Sequence, residues 1–138
     1  PYPSKGYLNL YTFRGNEQII KNKPNGWYEA EILDPARPAY QSGRGGVALV
    51  FSRDAVLTLL PQPILIEKHT DAHMGDRKLD GMVVTAFNHV GWREYVHSPS
   101  LVQHTGKISS IGNRPQKLAH SFLGEDYDAL RLLAPARS

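Results

Sequence analysis

The sequence predicts an α/β domain, and three observations predict it. Residues 47–51, Val-Ala-Leu-Val-Phe, form a continuous apolar run of the length of a buried strand. Within residues 77–90, Leu79, Met82, Val83, Ala86, Phe87 and Val90 recur at steps of three and four, the pattern of a helix with one apolar stripe. Strand-like and helix-like segments also alternate along the chain, the order expected when helices pack on a sheet.

Residues 7–13, Tyr-Leu-Asn-Leu-Tyr-Thr-Phe, are rich in strand formers and open the pattern. Residues 14–46 carry turn residues, among them Pro24, Gly26, Pro35, Pro38, Gly43, Gly45 and Gly46, and read as one long loop. The 47–51 strand is expected to be central and buried. Ser52 then has the side chain of a helix N-cap, Asp54 suits the positive helix start, and Pro61 and Pro63 end the helix over 53–60. Asp76 or Asp80 can cap the 77–90 helix, and Gly91 fits just past its end. Residues 93–97 and 100–104 read as short extended segments separated by Pro99, residues 105–116 as a loop, and residues 125–133 as a last short helix.

With 138 residues the chain is long enough for one domain with a real core. Sixteen basic against 13 acidic residues give a net charge of +3, scattered rather than clustered, which argues against a nucleic-acid partner and suits a site receiving a diphosphate. No window approaches the ~18 to 20 apolar residues of a membrane span. The absence of cysteine excludes disulfides and thiolate metal sites and fits a reducing, cytoplasmic setting. Gly-x-Ser-x-Gly and Walker-type loops are absent, which removes serine hydrolases and P-loop enzymes.

Three segments carry chemistry. Gln41-Ser-Gly-Arg-Gly-Gly-Val-Ala-Leu-Val-Phe-Ser-Arg53 places glycines before a strand, where backbone N–H groups can approach a ligand closely. Gly75-Asp-Arg-Lys-Leu-Asp-Gly-Met82 puts carboxylates at a helix start, where they can cap the helix or face a cleft. His97-Ser-Pro-Ser-Leu-Val-Gln-His-Thr-Gly-Lys-Ile-Ser-Ser-Ile-Gly-Asn113 is the most specific run. In that order, over about half the chain, the three segments resemble the acceptor-side, C-terminal portion of GT-A-fold nucleotide-sugar glycosyltransferases, the last one resembling the closing segment of enzymes that branch N-glycans.

The resemblance implies transfer of a sugar from a nucleotide-diphosphate donor to an acceptor hydroxyl. It implies that Asp80 contacts or deprotonates the acceptor hydroxyl, with Asp76 one helical turn away, and that Arg44, Gly45 and Gly46 shape the sugar pocket. It further implies that His104 completes the shell of Mn²⁺ or Mg²⁺, and that Ser110 and Asn113 reach phosphate oxygens. The family's Asp-x-Asp metal motif lies on a strand of the nucleotide-binding half and is expected upstream of Pro1. Asp126-Tyr127-Asp128 has that spelling but follows the histidine and reads as a helix start. The metal shell is therefore expected to be incomplete within residues 1–138, the isolated chain inactive, and an apolar face free for self-association. Two other readings stay open. One is a non-catalytic module, derived from a glycosyltransferase, that binds carbohydrate or protein. The other is a metal-dependent hydrolase using His69, Asp71 and His73, the two histidines having helical ligand spacing.

Overall fold

A computed structural model describes residues 6–12, 15–31, 36, 47–66, 79–106 and 118–128. They form a four-stranded mixed sheet with flanking helices, so the α/β expectation holds at that level. The strands are β1 (Gly6–Asn9), β2 (Gly26–Glu29), β3 (Leu49–Phe51) and β4 (Arg93–Ser98), in the order β2-β4-β1-β3. The helices are α1 (Gly15–Ile20), α2 (Arg53–Leu59), α3 (Pro63–Ile66) and α4 (Leu79–His89).

β1 and β4 run parallel in the middle of the sheet, with Tyr7 opposite Glu94 and Asn9 opposite Val96. Gly6 is required there, because a Cβ at that position would overlap the Arg93 carbonyl of the neighbouring strand. β2 and β3 flank the pair, both antiparallel to their neighbours. β4 is buried on both faces from Glu94 onward, as a strand between two others and beneath helices should be.

The core under α4 joins Tyr7, Ala55, Val83, Val84 and Phe87, with Leu49, Phe51, Leu59 and Trp92 packed against it. Phe87 is at its centre, 1% exposed, with ring centroids 5.1 Å from Tyr7, 5.8 Å from Trp92 and 6.0 Å from Phe51. Ser52 caps α2 as expected, its Oγ accepting the Ala55 N–H at 3.1 Å. Gly91 follows α4 with φ +74°, the left-handed turn that glycine tolerates best.

Five expectations need correction. The 47–51 run is not a central strand. β3 covers only 49–51, lies beyond β1 at the edge of the sheet formed by the described residues, and leaves Val50 45% exposed. With one neighbouring strand among the described residues, it turns Leu49 and Phe51 inward and Val50 outward, the period-2 alternation of a half-buried strand. The stretch after residue 14 is not one loop, since α1 and β2 lie within it. The stripe on α4 is rotated. Leu79 is 71% exposed and Val90 is exposed, whereas Gly81, Val84 and Thr85 join Val83, Ala86 and Phe87 in burial. Pro63 opens α3 rather than only stopping a helix; its missing N–H costs nothing in a first turn. Of the segment assigned to a last helix, residues 125–128 form a turn and irregular chain, and residues 129–133 lie outside the described residues.

Candidate functional site

Because β1 and β4 are parallel, their carboxyl ends point the same way, and the chain leaves both at one edge of the sheet. Ligands of open parallel sheets bind at such an edge. Past the strand ends the pairing continues, with Leu101 N–H donating to the Leu10 carbonyl at 2.9 Å. Thr12 fixes the two exits together. Its N–H donates to Ser100 Oγ at 2.9 Å and its hydroxyl donates to the His97 carbonyl at 2.7 Å. A cis Ser98–Pro99 peptide lies between these contacts.

Below the edge sits a buried polar network. The Glu94 carboxyl, 2% exposed, accepts from Asn9 Nδ2 at 2.6 Å and from the Tyr7 hydroxyl at 3.1 Å. Asn9 Oδ1 in turn accepts the Tyr11 N–H at 3.0 Å. A carboxyl so deep in a core needs such donors, because burying it unpaired would cost several kcal/mol. The network therefore couples the core to the backbone at Tyr11, where β1 has just ended.

The segment after β4 is held from the other side. Gln103 Nε2 donates to the Ala119 carbonyl at 3.0 Å, and Gln103 Oε1 accepts the N–H groups of Ala119 and His104 at 2.9 and 3.0 Å. Glu17, from α1, accepts at Oε1 from the Ser121 N–H at 2.9 Å and the Ser121 hydroxyl at 3.3 Å. Ser121 Oγ also accepts the Ser100 N–H at 3.2 Å. Three separate segments are thus tied at one edge.

Two histidines belong to this segment, and they differ in tautomer. His97, 5% exposed, sits on β4 with Nδ1 2.8 Å from the Pro99 carbonyl, so Nδ1 carries the proton and donates. Trp27 packs edge-on against its ring at 4.9 Å. Burial pushes the His97 imidazole below its ordinary value, opposed by the bond to Pro99. His104 is half-buried, its ring 6.3 Å from that of Tyr11. Its Nδ1 accepts the Gly106 N–H at 3.2 Å, so a neutral ring carries its proton on Nε2. Tyr11 is buried, and burial first and the Glu17 charge second hold its phenol above its ordinary value and therefore protonated.

The resemblance to glycosyltransferases implies a divalent metal at His104. The side chain as placed does not fit that ion. A ligand nitrogen needs a lone pair, Nδ1 has given its own to Gly106, and Nε2 holds the proton. Among the described residues no group of three or more His, Asp or Glu side chains is placed to hold a metal. Asp80 lies in the first turn of α4, where Oδ1 accepts the Gly81 N–H at 3.0 Å. That is nine residues from His89, roughly 14 Å along the helix from the end that leads into β4. Arg44, Gly45, Gly46, Asp76, Ser110 and Asn113 lie outside the described residues, as do His69, Asp71 and His73. Asp126 and Asp128 are exposed and follow no strand.

Glu17, Ser121 and the pairing role of Gln103 were missed by the sequence reading. Glu17 belongs to a six-residue helix too short to show periodicity, and Gln103 stood inside the quoted motif with no role. No helix is long and apolar enough to cross a membrane among the described residues. The chain matches no family model, no curated protein and no solved structure.

Proposed function

We propose that this chain is the acceptor-side part of a glycosyltransferase that moves a sugar from a nucleotide-diphosphate donor to an acceptor hydroxyl. The observation that carries the reading is the segment 97–106: the run most similar to the closing segment of GT-A enzymes leaves the central parallel strand at the sheet edge where ligands of such sheets bind. Gln103, Ser100 and Thr12 hold that segment in place, which is the rigidity a site needs.

In this reading His104 stands at the donor diphosphate. With Nδ1 occupied by Gly106, its Nε2–H donates to a phosphate oxygen and stabilises the charge that develops as the sugar departs. Asp80 orients or deprotonates the acceptor hydroxyl. Arg44, Gly45 and Gly46 shape the sugar pocket, and Asp76, Ser110 and Asn113 complete the substrate contacts. A divalent ion, where the enzyme uses one, is held by carboxylates supplied from outside residues 1–138.

The test is release of nucleoside diphosphate by the protein at its full natural length. It is incubated with UDP- and GDP-sugars, with and without Mn²⁺ and with and without glycan acceptors. Acceptor-stimulated release supports the reading. Glycan binding with no release from any donor would favour the second reading, a non-catalytic carbohydrate-binding module derived from such an enzyme.

A further inference from the structure

We propose that Glu17 is a substrate-binding carboxylate that accepts a hydrogen bond from a carbohydrate hydroxyl at the carboxyl edge of the β1–β4 pair. For the identity of its ligand this rests on the sugar-transfer reading above.

The geometry is that of a fixed acceptor with one side open. Both hydrogen bonds that Ser121 makes to the Glu17 carboxylate, from its N–H and its hydroxyl, fall on Oε1. Oε2 has no hydrogen-bond partner among the described residues, and the side chain is only half-buried. An ionised carboxylate offers about four acceptor positions over its two oxygens, so about half of that capacity is not taken up by Ser121. Ser121 is itself held by Ser100, and its neighbour Ala119 by Gln103, so the carboxylate is anchored to a segment that cannot drift. Fixing one oxygen removes the rotamer freedom that binding would otherwise have to suppress.

The surroundings point to a hydroxyl-bearing ligand. Tyr11 and His104 stand at the same edge, their rings 6.3 Å apart. Burial first, and the Glu17 charge second, raise the Tyr11 phenol above its ordinary value, which places the two side chains within electrostatic reach of each other. The residue before Glu17, Asn16, is fully buried, with neither amide atom partnered among the described residues. An ionised carboxylate accepts from hydroxyl donors and repels anions, so beside the diphosphate that His104 meets in the sugar-transfer reading, Glu17 suits the hydroxyl-bearing part of the ligand.

The experiment uses the full-length protein with ¹³C-labelled glutamate carboxyls, titrated with methyl glycosides of glucose, galactose, mannose and N-acetylglucosamine. The Glu17 carboxyl resonance is assigned from the Glu17→Gln variant. That substitution keeps a carbonyl oxygen for Ser121 and so preserves the anchor. The proposal expects the Glu17 resonance to move with at least one glycoside, and Glu17→Gln to weaken that glycoside at least about tenfold, the loss of one charge-assisted bond. Ser121→Ala, which frees the carboxylate, weakens it less. No movement of the Glu17 resonance with any of the four, or unchanged affinity in Glu17→Gln, overturns it. Glycoside binding at Glu17 in a protein that transfers no sugar retains this proposal and removes the transferase reading. Sugar transfer whose acceptor KM ignores Glu17→Gln does the reverse.

Discussion

The side-chain amide of Gln103 pairs with both backbone groups of Ala119, donating to its carbonyl at 3.0 Å and accepting its N–H at 2.9 Å. One side chain thus imitates a neighbouring strand, and it does so one residue before His104. Gln103→Leu keeps the bulk and removes these bonds, together with the one Oε1 accepts from the His104 N–H. The expected cost is about 1–3 kcal/mol, because the Ala119 groups lose their partners. Amide hydrogen exchange reads it locally: the Ala119 and His104 N–H groups exchange faster, while Val96 on β4 is unchanged relative to global stability. Unaltered exchange at Ala119 would show that the pairing does not hold the segment.

The core and the stripe of α4 separate by substitution. Phe87→Ala removes a ring stacked on Tyr7 and Trp92 and should cost about 3–5 kcal/mol in denaturant unfolding. Leu79→Ala falls on the same sequence stripe but at an exposed position, and should stay within about 0.5 kcal/mol. Equal costs at the two sites would mean that the helix faces the sheet with a different side.

How much of this was legible in the sequence follows from what sets each feature. The Ser52 cap, the Gly91 turn and the existence of α4 are local, decided by a few side chains and their own backbone, and they read correctly. The rank of β3 in the sheet is not local. An apolar run of five shows that a strand forms, but not whether a second strand lies beyond it. The stripe of α4 was misread at Leu79, its first residue, and at Val90, just past its last, both outside the stretch 81–87 that holds its buried residues. At the candidate site, His104 could be singled out from its motif. Its tautomer could not, because the Gly106 N–H that sets it is a matter of backbone direction two residues on. Glu17 lies 104 residues from Ser121 in sequence, and nothing in either segment announces the other.

The buried His97 predicts a pH dependence of stability. Its imidazole titrates below the ordinary value of 6.5, because burial disfavours the cation. Between the two values the unfolded chain binds a proton that the folded chain does not, so unfolding becomes easier as pH falls through that window. The contribution is fully present above pH 6.5 and is lost progressively below it, down to the folded value. Thermal midpoints measured from pH 7.5 downward should fall from near that point. His97→Asn, which can still donate to the Pro99 carbonyl, should flatten that part of the curve. A wild-type midpoint that stays level through the same range would contradict the assignment.

Gly106 gives control over His104 without touching it. A Cβ at residue 106 would come within 2.8 Å of His104 Cε1, so Gly106→Ala must turn or shift the imidazole. Because the contact is with a side chain that can move, the fold should survive, with a midpoint close to wild type. The His104 ring resonances should shift in an NMR spectrum and sugar transfer should fall. Unchanged ring resonances would mean that the Gly106 contact does not position the imidazole.

The most direct measurement of the central claim is sugar transfer and thermal midpoint on the same His104→Ala variant of the full-length protein, with Mn²⁺ titrated from zero. The account predicts a midpoint within a few degrees of wild type and turnover reduced by about 10² or more, the scale of losing one donor to developing charge. It also predicts a Mn²⁺ midpoint left where it was, because His104 donates to the diphosphate and does not ligate the ion. A lowered thermal midpoint with normal turnover would make His104 a structural histidine and remove the residue on which the functional reading rests.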